Sequence, residues 1–385
     1  MHILLAPSSY APKVGGLETA VAQLGAELLR RGHQVTIITN RYPHVLPAHE
    51  RIGGIDVYRL LMTNIFPSRS QMKRLPKYLV GVALAPIQLT RLALLIRTMK
   101  PALINAHYLG TPALYTRIAN LIWPRHKLVL SVHGSDLTTT PYPTGNSVLS
   151  RYVVGGVHIS TACSANQAGF LQQMMGPAWH GRVIVTGNGV EPGELLGARP
   201  FEHQRPYIFA AARFIPKKGL DVLIKALRYV RDAGLDVDLI LAGGGSEEPR
   251  LRELVSQLKL GAHVYFWGIA SRAELASLLH GCALFALPSI WEAFGIASLE
   301  AMVCGKAVVA SDCGGIPEVV RHRETGLLVP PGDPAALGAA LLELMCDPAR
   351  ARAMGQCGRE LALSKFTWST VTDRYLEAYR LALEI

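Results

Sequence analysis

The sequence predicts an α/β protein of two doubly wound domains, and three observations lead there. At 385 residues the chain is long for one core, half of its residues are hydrophobic, and short apolar strands alternate with helical patterns along its length. Strands spaced in this way by helices build open parallel sheets covered on both faces. HILLAP is the first buried strand, a loop closes at Gly15 and Gly16, and Leu17, Ala20, Val21, Leu24 and Leu28 form a helical apolar stripe ended by Gly32. QVTIIT, KLVLSVHGSD and VIVTGNGV supply further strands of the first domain. From Tyr207 the alternation is regular: YIFAAAR, VDLILAGGG, HVYFWG, ALFALPS, AVVASD and GLLVPP are strands with helices between them. In PPGDPAAL, Asp333 suits a helix N-cap and Pro334 the first helical position. The predicted domains are residues 1–190 and 207–365, joined by a polar Gly/Pro-containing linker at 191–206, with a last helix over 366–385.

Charge divides the chain unevenly. Residues 1–190 hold 18 Lys and Arg against 5 Asp and Glu, whereas the remainder holds 21 against 23. No acidic residue occurs between Asp56 and Asp136, while eleven basic ones do, among them Arg69, Lys73, Arg74, Lys77, Arg91, Arg97 and Lys100. Solvated surfaces mix signs, so the first half is expected to face something anionic. The segment 67–100 sets seven basic residues beside apolar stretches, of which the longest, between Lys77 and Arg91, has 13 residues. That is shorter than the roughly 20 needed to span a bilayer but suits a helix lying in the interface. A core helix with a basic rim is the alternative, and Pro86 interrupts any continuous amphipathic pattern. MHILLAP leads straight into a core strand without a basic n-region or cleavage pattern, which predicts a cytoplasmic protein, peripheral on the inner face of the membrane if the basic run binds lipid. The six cysteines lack any C-x-x-C spacing and are expected as buried free thiols.

Doubly wound domains put ligand loops at the carboxyl ends of strands, and a cleft between two such domains is the expected site. Gly15 and Gly16 do not form a G-x-G-x-x-G fingerprint, so no dinucleotide cofactor is indicated; the pair suits either a tight turn or a phosphate at a helix N-terminus. After the first strand of the second domain, Arg213 and Lys218 form either a solvated pair or a diphosphate site, the Arg through its fork and the Lys as a point charge. EAFGIASLE brackets seven uncharged residues with Glu292 and Glu300. If a helix begins near Gly295, eight residues of helical rise separate the carboxylates by roughly 12 Å, which excludes a proton-sharing dyad. A ligand with hydroxyls at both ends and a diphosphate between fits, its phosphates on the N–H groups of Phe294, Gly295 and Ile296, its sugar on Glu292 and its ribose on Glu300. A capping carboxylate plus a buried Glu paired with a neighbouring base is the alternative.

EAFGIASLE, SDCGGIPEVV, TGLLVPPGDPAAL, AARFIPKKG, YAPKVGGLE and HGSD together resemble the retaining GT-B glycosyltransferases of family 4 over nearly the whole chain. The resemblance implies two Rossmann-like domains facing across a cleft, the second binding a nucleotide sugar and the first taking the acceptor. It implies that Glu292 contacts the transferred sugar, Glu300 the ribose, Arg213 and Lys218 the donor diphosphate, Gly16 the donor through its loop, and His133 the cleft. The GR of the family reads Ala212-Arg213 here, and LINAHY keeps His107 without its usual upstream partners, so His107 is left without a role. The implied reaction moves a hexose from a UDP- or GDP-sugar to an acceptor hydroxyl with retention, without metal or cofactor, and the last helix crosses back to the first domain. With the basic first half, the acceptor is expected to be lipid-linked or anionic, in cell-envelope glycan or glycolipid synthesis, and no nucleic acid is called for. A nucleotide-sugar 2-epimerase, a glycosyltransferase with a soluble small-molecule acceptor, and a two-domain binding protein are the rival readings.

Overall fold

The computed structural model describes residues 1–13, 15–62, 75–122, 126–134, 136–137 and 148–385. The chain forms two compact units, one of Met1–Gly187 with Val371–Ile385 and one of Asn188–Thr370. Segment 191–206, expected as a linker, belongs to the second unit: it carries a short helix, Gly193–Leu196, and Phe201 N–H donates to the Ser277 carbonyl at 2.9 Å.

The first unit is built on eight strands: β1 (His2–Pro7), β2 (Gln34–Asn40), β3 (His49–Ile52), β4 (Ile55–Leu60), β5 (Leu103–His107), β6 (Lys127–Val132), β7 (Ile159–Ala162) and β8 (Val183–Val185). They lie in the order β3-β4-β2-β1-β5-β6-β7-β8, parallel throughout except for β3 against β4. The β3–β4 hairpin turns on Gly53 and Gly54, both at positive φ, which only glycine adopts cheaply. Helices Gly16–Arg30, Leu75–Met99 and Thr111–Ile122 cover the sheet. The core is apolar residues of the central strands and covering helices, with Leu4, Ile104, Leu130, Leu92 and Tyr115 fully or almost fully buried. From Val371 the last helix, Trp368–Glu384, belongs to this unit, where the Tyr379 hydroxyl meets Asn105 at 2.7 Å and Arg374 donates to the Thr186 carbonyl at 3.0 Å.

The second unit is a six-stranded parallel sheet of β9 (Tyr207–Ala211), β10 (Asp238–Ala242), β11 (Val264–Gly268), β12 (Leu284–Leu287), β13 (Val308–Ser311) and β14 (Gly326–Val329), in the order β11-β10-β9-β12-β13-β14. Counted from its own first strand this is 3-2-1-4-5-6, the doubly wound order that opens a crevice between the first and fourth strands. Helix Leu220–Asp232 buries Val222, Leu223, Ala226, Leu227 and Val230 on one face, the 3.6-residue stripe that packs it on the sheet. Asp333 caps helix Pro334–Cys346 by accepting from Ala335 and Ala336 N–H, both at 2.9 Å.

All six cysteines are free thiols, but the expectation that they are buried holds only for Cys163, Cys282 and Cys304: Cys346 and Cys357 are exposed and Cys313 is half-buried. Apolar neighbours in sequence do not report which face of a helix a residue takes, and Cys357 lies on the solvent side of Pro348–Lys365.

Candidate functional site

In the second unit the expected site residues gather at the carboxyl ends of β9, β12 and β13. Arg213 follows β9 by two residues and is exposed; Lys218 ends the 3-10 turn Pro216–Lys218. Gly219 makes this turn possible: it sits at φ +62, and a Cβ there would lie 2.1 Å from the Pro288 carbonyl oxygen after β12. That approach brings Lys218 to Glu292, which it pairs with directly, the two side chains only 15% and 18% exposed. Ser289 Oγ lies 3.4 Å from the same carboxylate. Lys217 stands 5.4 Å over the Trp291 ring, and burial, reinforced by the Lys218 and Arg213 charges, pushes its ammonium down. The loop after β13 fixes the Glu292 backbone: Gly315 N–H donates to its carbonyl at 3.0 Å, and Gly314, at φ +56, passes so close that a Cβ would lie 1.8 Å from that oxygen.

Helix Ile296–Val303 follows, with Gly295 as its N-cap. No described residue accepts a hydrogen bond from the N–H groups of Phe294, Gly295 or Ile296, which leaves the positive end of the helix open to an anion. The Ser298 hydroxyl, fully buried in the first turn, has no partner among the described residues. Glu300, in the second turn, pairs with Arg272, whose Nη2 also donates to the Glu191 carbonyl at 3.1 Å. Burial pushes the Glu300 carboxyl up against the opposing pull of the Arg272 guanidinium. Glu292 and Glu300 each have a basic partner of their own, so burial of Glu300 by itself does not demand a ligand; what marks the pair is its place at one strand end around an open helix terminus.

In the first unit, Gly15 is the N-cap of helix Gly16–Arg30 and Gly16 its first residue. The first turn contributes Glu18, a buried carboxylate that accepts from Ser9 Oγ at 2.5 Å and pairs with Lys13 at 3.2 Å. A Cβ at Gly15 would lie 2.5 Å from Glu18 Oε2, so glycine leaves the carboxylate room to fold back over the helix terminus. Burial pushes the Glu18 carboxyl up, but the Ser9 hydroxyl, its own backbone N–H and Lys13 outweigh it and the net direction is down. His133 follows β6, and its Nε2 is 3.1 Å from Nδ1 of His107 at the end of β5. Burial pushes the His133 imidazole down to about 4, against the pull of the Glu18 charge, and burial with the His133 charge holds that of His107 well below the usual imidazole range. Both rings are therefore neutral near pH 7. Asp136 fixes the loop by accepting from the N–H groups of Leu109 at 3.0 Å, His133 at 3.1 Å and Gly134 at 2.8 Å.

Three residues here escaped sequence reasoning, Glu18, Asp136 and Arg272, and His107, set aside there without a role, lies against His133. Glu18 and Asp136 lie inside the quoted stretches YAPKVGGLE and HGSD and were open to recognition. Arg272 starts a helix 28 residues before Glu300 and carries no local signal.

Residues 14–194 match the family model for Glycosyltransferase Family 4, and residues 195–361 that for Glycosyl transferases group 1. The GDP-mannose-dependent alpha-(1-6)-phosphatidylinositol monomannoside mannosyltransferase of Mycolicibacterium smegmatis is 27% identical over 391 residues, covering 97% of this chain and 97% of that protein. The alpha-maltose-1-phosphate synthase of the same organism is 36% identical over 222 residues, 52% of this chain, and the match spans only 57% of that protein's length. Among solved structures, sucrose-phosphate synthase from Thermosynechococcus elongatus superimposes with a TM-score of 0.79 at 23% identity over 98% of each chain. With two doubly wound units and two family models that together match residues 14–361, the chain belongs to the group 1 glycosyltransferases and is built on the GT-B architecture.

Proposed function

We propose that the protein is a retaining, metal-independent glycosyltransferase that moves a hexose from a UDP- or GDP-sugar to a hydroxyl of a lipid-linked or anionic acceptor, at the cytoplasmic face of a membrane. The observation that carries the donor half is the arrangement at the neighbouring ends of β9 and β12, with the cations Arg213 and Lys218 after the first and the open N–H groups of Phe294, Gly295 and Ile296 after the second. A diphosphate placed there meets a helix terminus and two fixed positive charges, which stabilise it as it leaves and supply what a metal ion would otherwise provide. Glu292, released from Lys218 when the phosphates take that ammonium, accepts from sugar hydroxyls; Glu300 accepts from the ribose. In the other unit, Gly15, Gly16 and the neutral His133 serve the transferred sugar and the acceptor through uncharged hydrogen bonds. The acceptor hydroxyl attacks the anomeric carbon from the face the diphosphate leaves; the carbon–oxygen bond to phosphate breaks as the new one forms, and the departing phosphate oxygen takes the acceptor's proton. The alpha linkage in the name of the mannosyltransferase relative supports retention, because the common nucleotide hexoses enter as α-anomers.

The acceptor half rests on helix Leu75–Met99. Its inner face buries Ala85, Gln88, Leu92 and Ile96, while Leu79, Ile87 and Leu94 are 56%, 50% and 53% exposed beside Arg91. Only 22% of Val82–Met99, a stretch apolar enough for a bilayer, is buried. Apolar side chains turned outward among basic ones fit the lipid interface. Arg69, Lys73 and Arg74 lie outside the described residues. The relative whose name includes phosphatidylinositol monomannoside supports a lipid acceptor. The test is incubation with labelled UDP- and GDP-hexoses and membrane lipid extract, with the anomeric configuration of the product read by NMR. Transfer with retention, unaffected by EDTA, is expected. An inverted product, a free epimerised sugar, or activity abolished by EDTA and restored by Mg²⁺ or Mn²⁺ would overturn the corresponding part.

A further inference from the structure

Away from Glu18 and His133, the first unit contains a second concave site. A cavity of about 450 Å³ opens between the β3–β4 hairpin and helix Leu75–Met99, lined by Arg41, His49, Tyr58, Arg59, Arg91 and Leu94 together with neighbouring leucines. Its size falls within the range of small-molecule sites. Three arginines reach it and, among the described residues, no carboxylate lines it. They differ in how far their charge is spent. Arg59 is almost fully buried and satisfied, pairing with Glu50 and donating to the Ala11 carbonyl at 2.7 Å, so its charge is already matched and it forms a fixed wall. Arg41 uses its Nε on the Leu46 carbonyl at 2.6 Å, and its terminal nitrogens make no ion pair among the described residues. Arg91 is exposed and has no ion pair among the described residues either. The His49 ring stacks on Tyr58 at 4.4 Å and is held by Asp56 at 3.0 Å, which gives the cavity a flat, rigid side.

The rest of the lining is mostly apolar: Leu60, Leu61, Leu94 and Leu95 contribute to it, and Leu94 is also part of the outward-facing row with Ile87. Charge and grease thus meet along one path: a forked cation pair at the cavity, then leucine, then an exposed apolar helix face. A free sugar phosphate would leave the leucines wet, and a neutral lipid would leave Arg41 and Arg91 without a counter-charge. A phosphodiester carrying acyl chains satisfies both, its phosphate bidentate on guanidinium and its chains along the helix. The acid-free run from Asp56 to Asp136, which supplies two sides of the cavity, adds a long-range attraction of the same sign.

We propose that this cavity is a binding site for the phosphodiester headgroup of a single anionic membrane lipid, separate from the donor-binding loops. The proposal rests on the reading that helix Leu75–Met99 meets a membrane, and the experiment separates the two. The full chain is titrated by calorimetry with dihexanoyl phosphatidylglycerol kept below its micelle concentration, with glycerol 3-phosphate, and with dihexanoyl phosphatidylcholine. In parallel it is co-sedimented with phosphatidylglycerol vesicles. The anionic short-chain lipid is expected to bind, and the other two at least about tenfold more weakly. Arg91→Gln, at an exposed position, is expected to weaken that binding about tenfold or more while Arg91→Lys retains most of it, since a charge-assisted contact is lost in one and kept in the other. Unchanged thermal unfolding of both variants shows that the fold is intact. If vesicles bind parent and Arg91→Gln equally and the short-chain lipid does not bind, the membrane reading stands and the cavity proposal falls. If the short-chain lipid binds and vesicles do not, the cavity stands and the membrane reading falls. Equal affinity for glycerol 3-phosphate would overturn the lipid assignment in favour of a small phosphorylated ligand.

Discussion

The two units carry the same topology logic but opposite electrostatic designs at their strand ends. Around β12 the key groups are carboxyls matched to basic partners, Lys218 with Glu292 and Arg272 with Glu300. Around β5 and β6 they are imidazoles kept neutral by burial, His107 against His133, with the carboxylates of Glu18 and Asp136 nearby and held by hydrogen bonds of their own. A basic group held by a carboxyl can exchange partners when a polyanion arrives. A buried neutral ring cannot balance a diphosphate at pH 7 but can hydrogen-bond a sugar hydroxyl without a desolvated charge. On the proposed function, charge develops at the second unit, which would hold the leaving diphosphate, while the first unit would offer uncharged contacts to the sugar and the acceptor.

The largest effect should come from removing the cations. Lys218→Ala or Arg213→Ala is expected to lower kcat about 10²-fold or more, as losing an oxyanion donor does elsewhere. Steady-state kinetics with the preferred donor check it, and loss confined to KM would break the proposed contrast between the units. Glu292→Gln comes next: it keeps shape and removes charge, so kcat should fall by about tenfold or more while the Kd for the nucleoside diphosphate stays nearly unchanged. Glu300→Ala should behave in reverse, weakening nucleoside diphosphate binding about tenfold by loss of a charge-assisted contact. Arg272→Ala should follow it in the same assay, with Arg272→Lys partly restoring affinity. Calorimetric titration that finds the parent affinity in Glu300→Ala would remove the ribose role.

The smallest effect concerns pH and belongs to the first unit. An unfolded histidine titrates near about 6.5, whereas His133 is pushed down to about 4 when folded. Between those values the unfolded chain binds more protons, so stability that is fully present above about pH 6.5 is lost progressively as pH falls toward 4. His133→Asn should show a shallower fall of the urea midpoint between pH 7 and pH 5 than the parent. Equal slopes would mean that other groups, and not this imidazole, set the acid sensitivity.

Recognition of this fold from sequence worked where the signal is local. β1, β2 and β6 and all six strands of the second unit are legible as apolar runs between turn residues, and Asp333-Pro334 marks a helix start that the structure reproduces. The β3–β4 hairpin was missed although its signal was present: HERI and IDVYRL flank Gly53-Gly54, a two-residue turn. β7, four residues with Ser and Thr at its centre, has no apolar run to announce it. At the candidate site, Glu292 and Glu300 stood out because charge is scarce around them, and the helix supposed to begin near Gly295 does so, with Gly295 as its N-cap.

The secondary-structure rhythm, the division into two doubly wound halves, the positive first half and the strand-end loops that carry the candidate site are legible in the amino-acid sequence, because each is set by residues within a few positions of one another. Strand order and ionic partners were decided only by tertiary structure. Lys218 and Glu292 are 74 residues apart and Arg272 and Glu300 are 28 apart. They meet because β9 and β12 are neighbours in the sheet while β10 and β11 lie to one side. Likewise His107 meets His133 because β5 pairs with β6 in register, His107 opposite Ser131. Periodicity along a chain reports which face of an element is buried; it carries no information about which distant element supplies the facing charge, and that choice follows from the order in which the strands assemble.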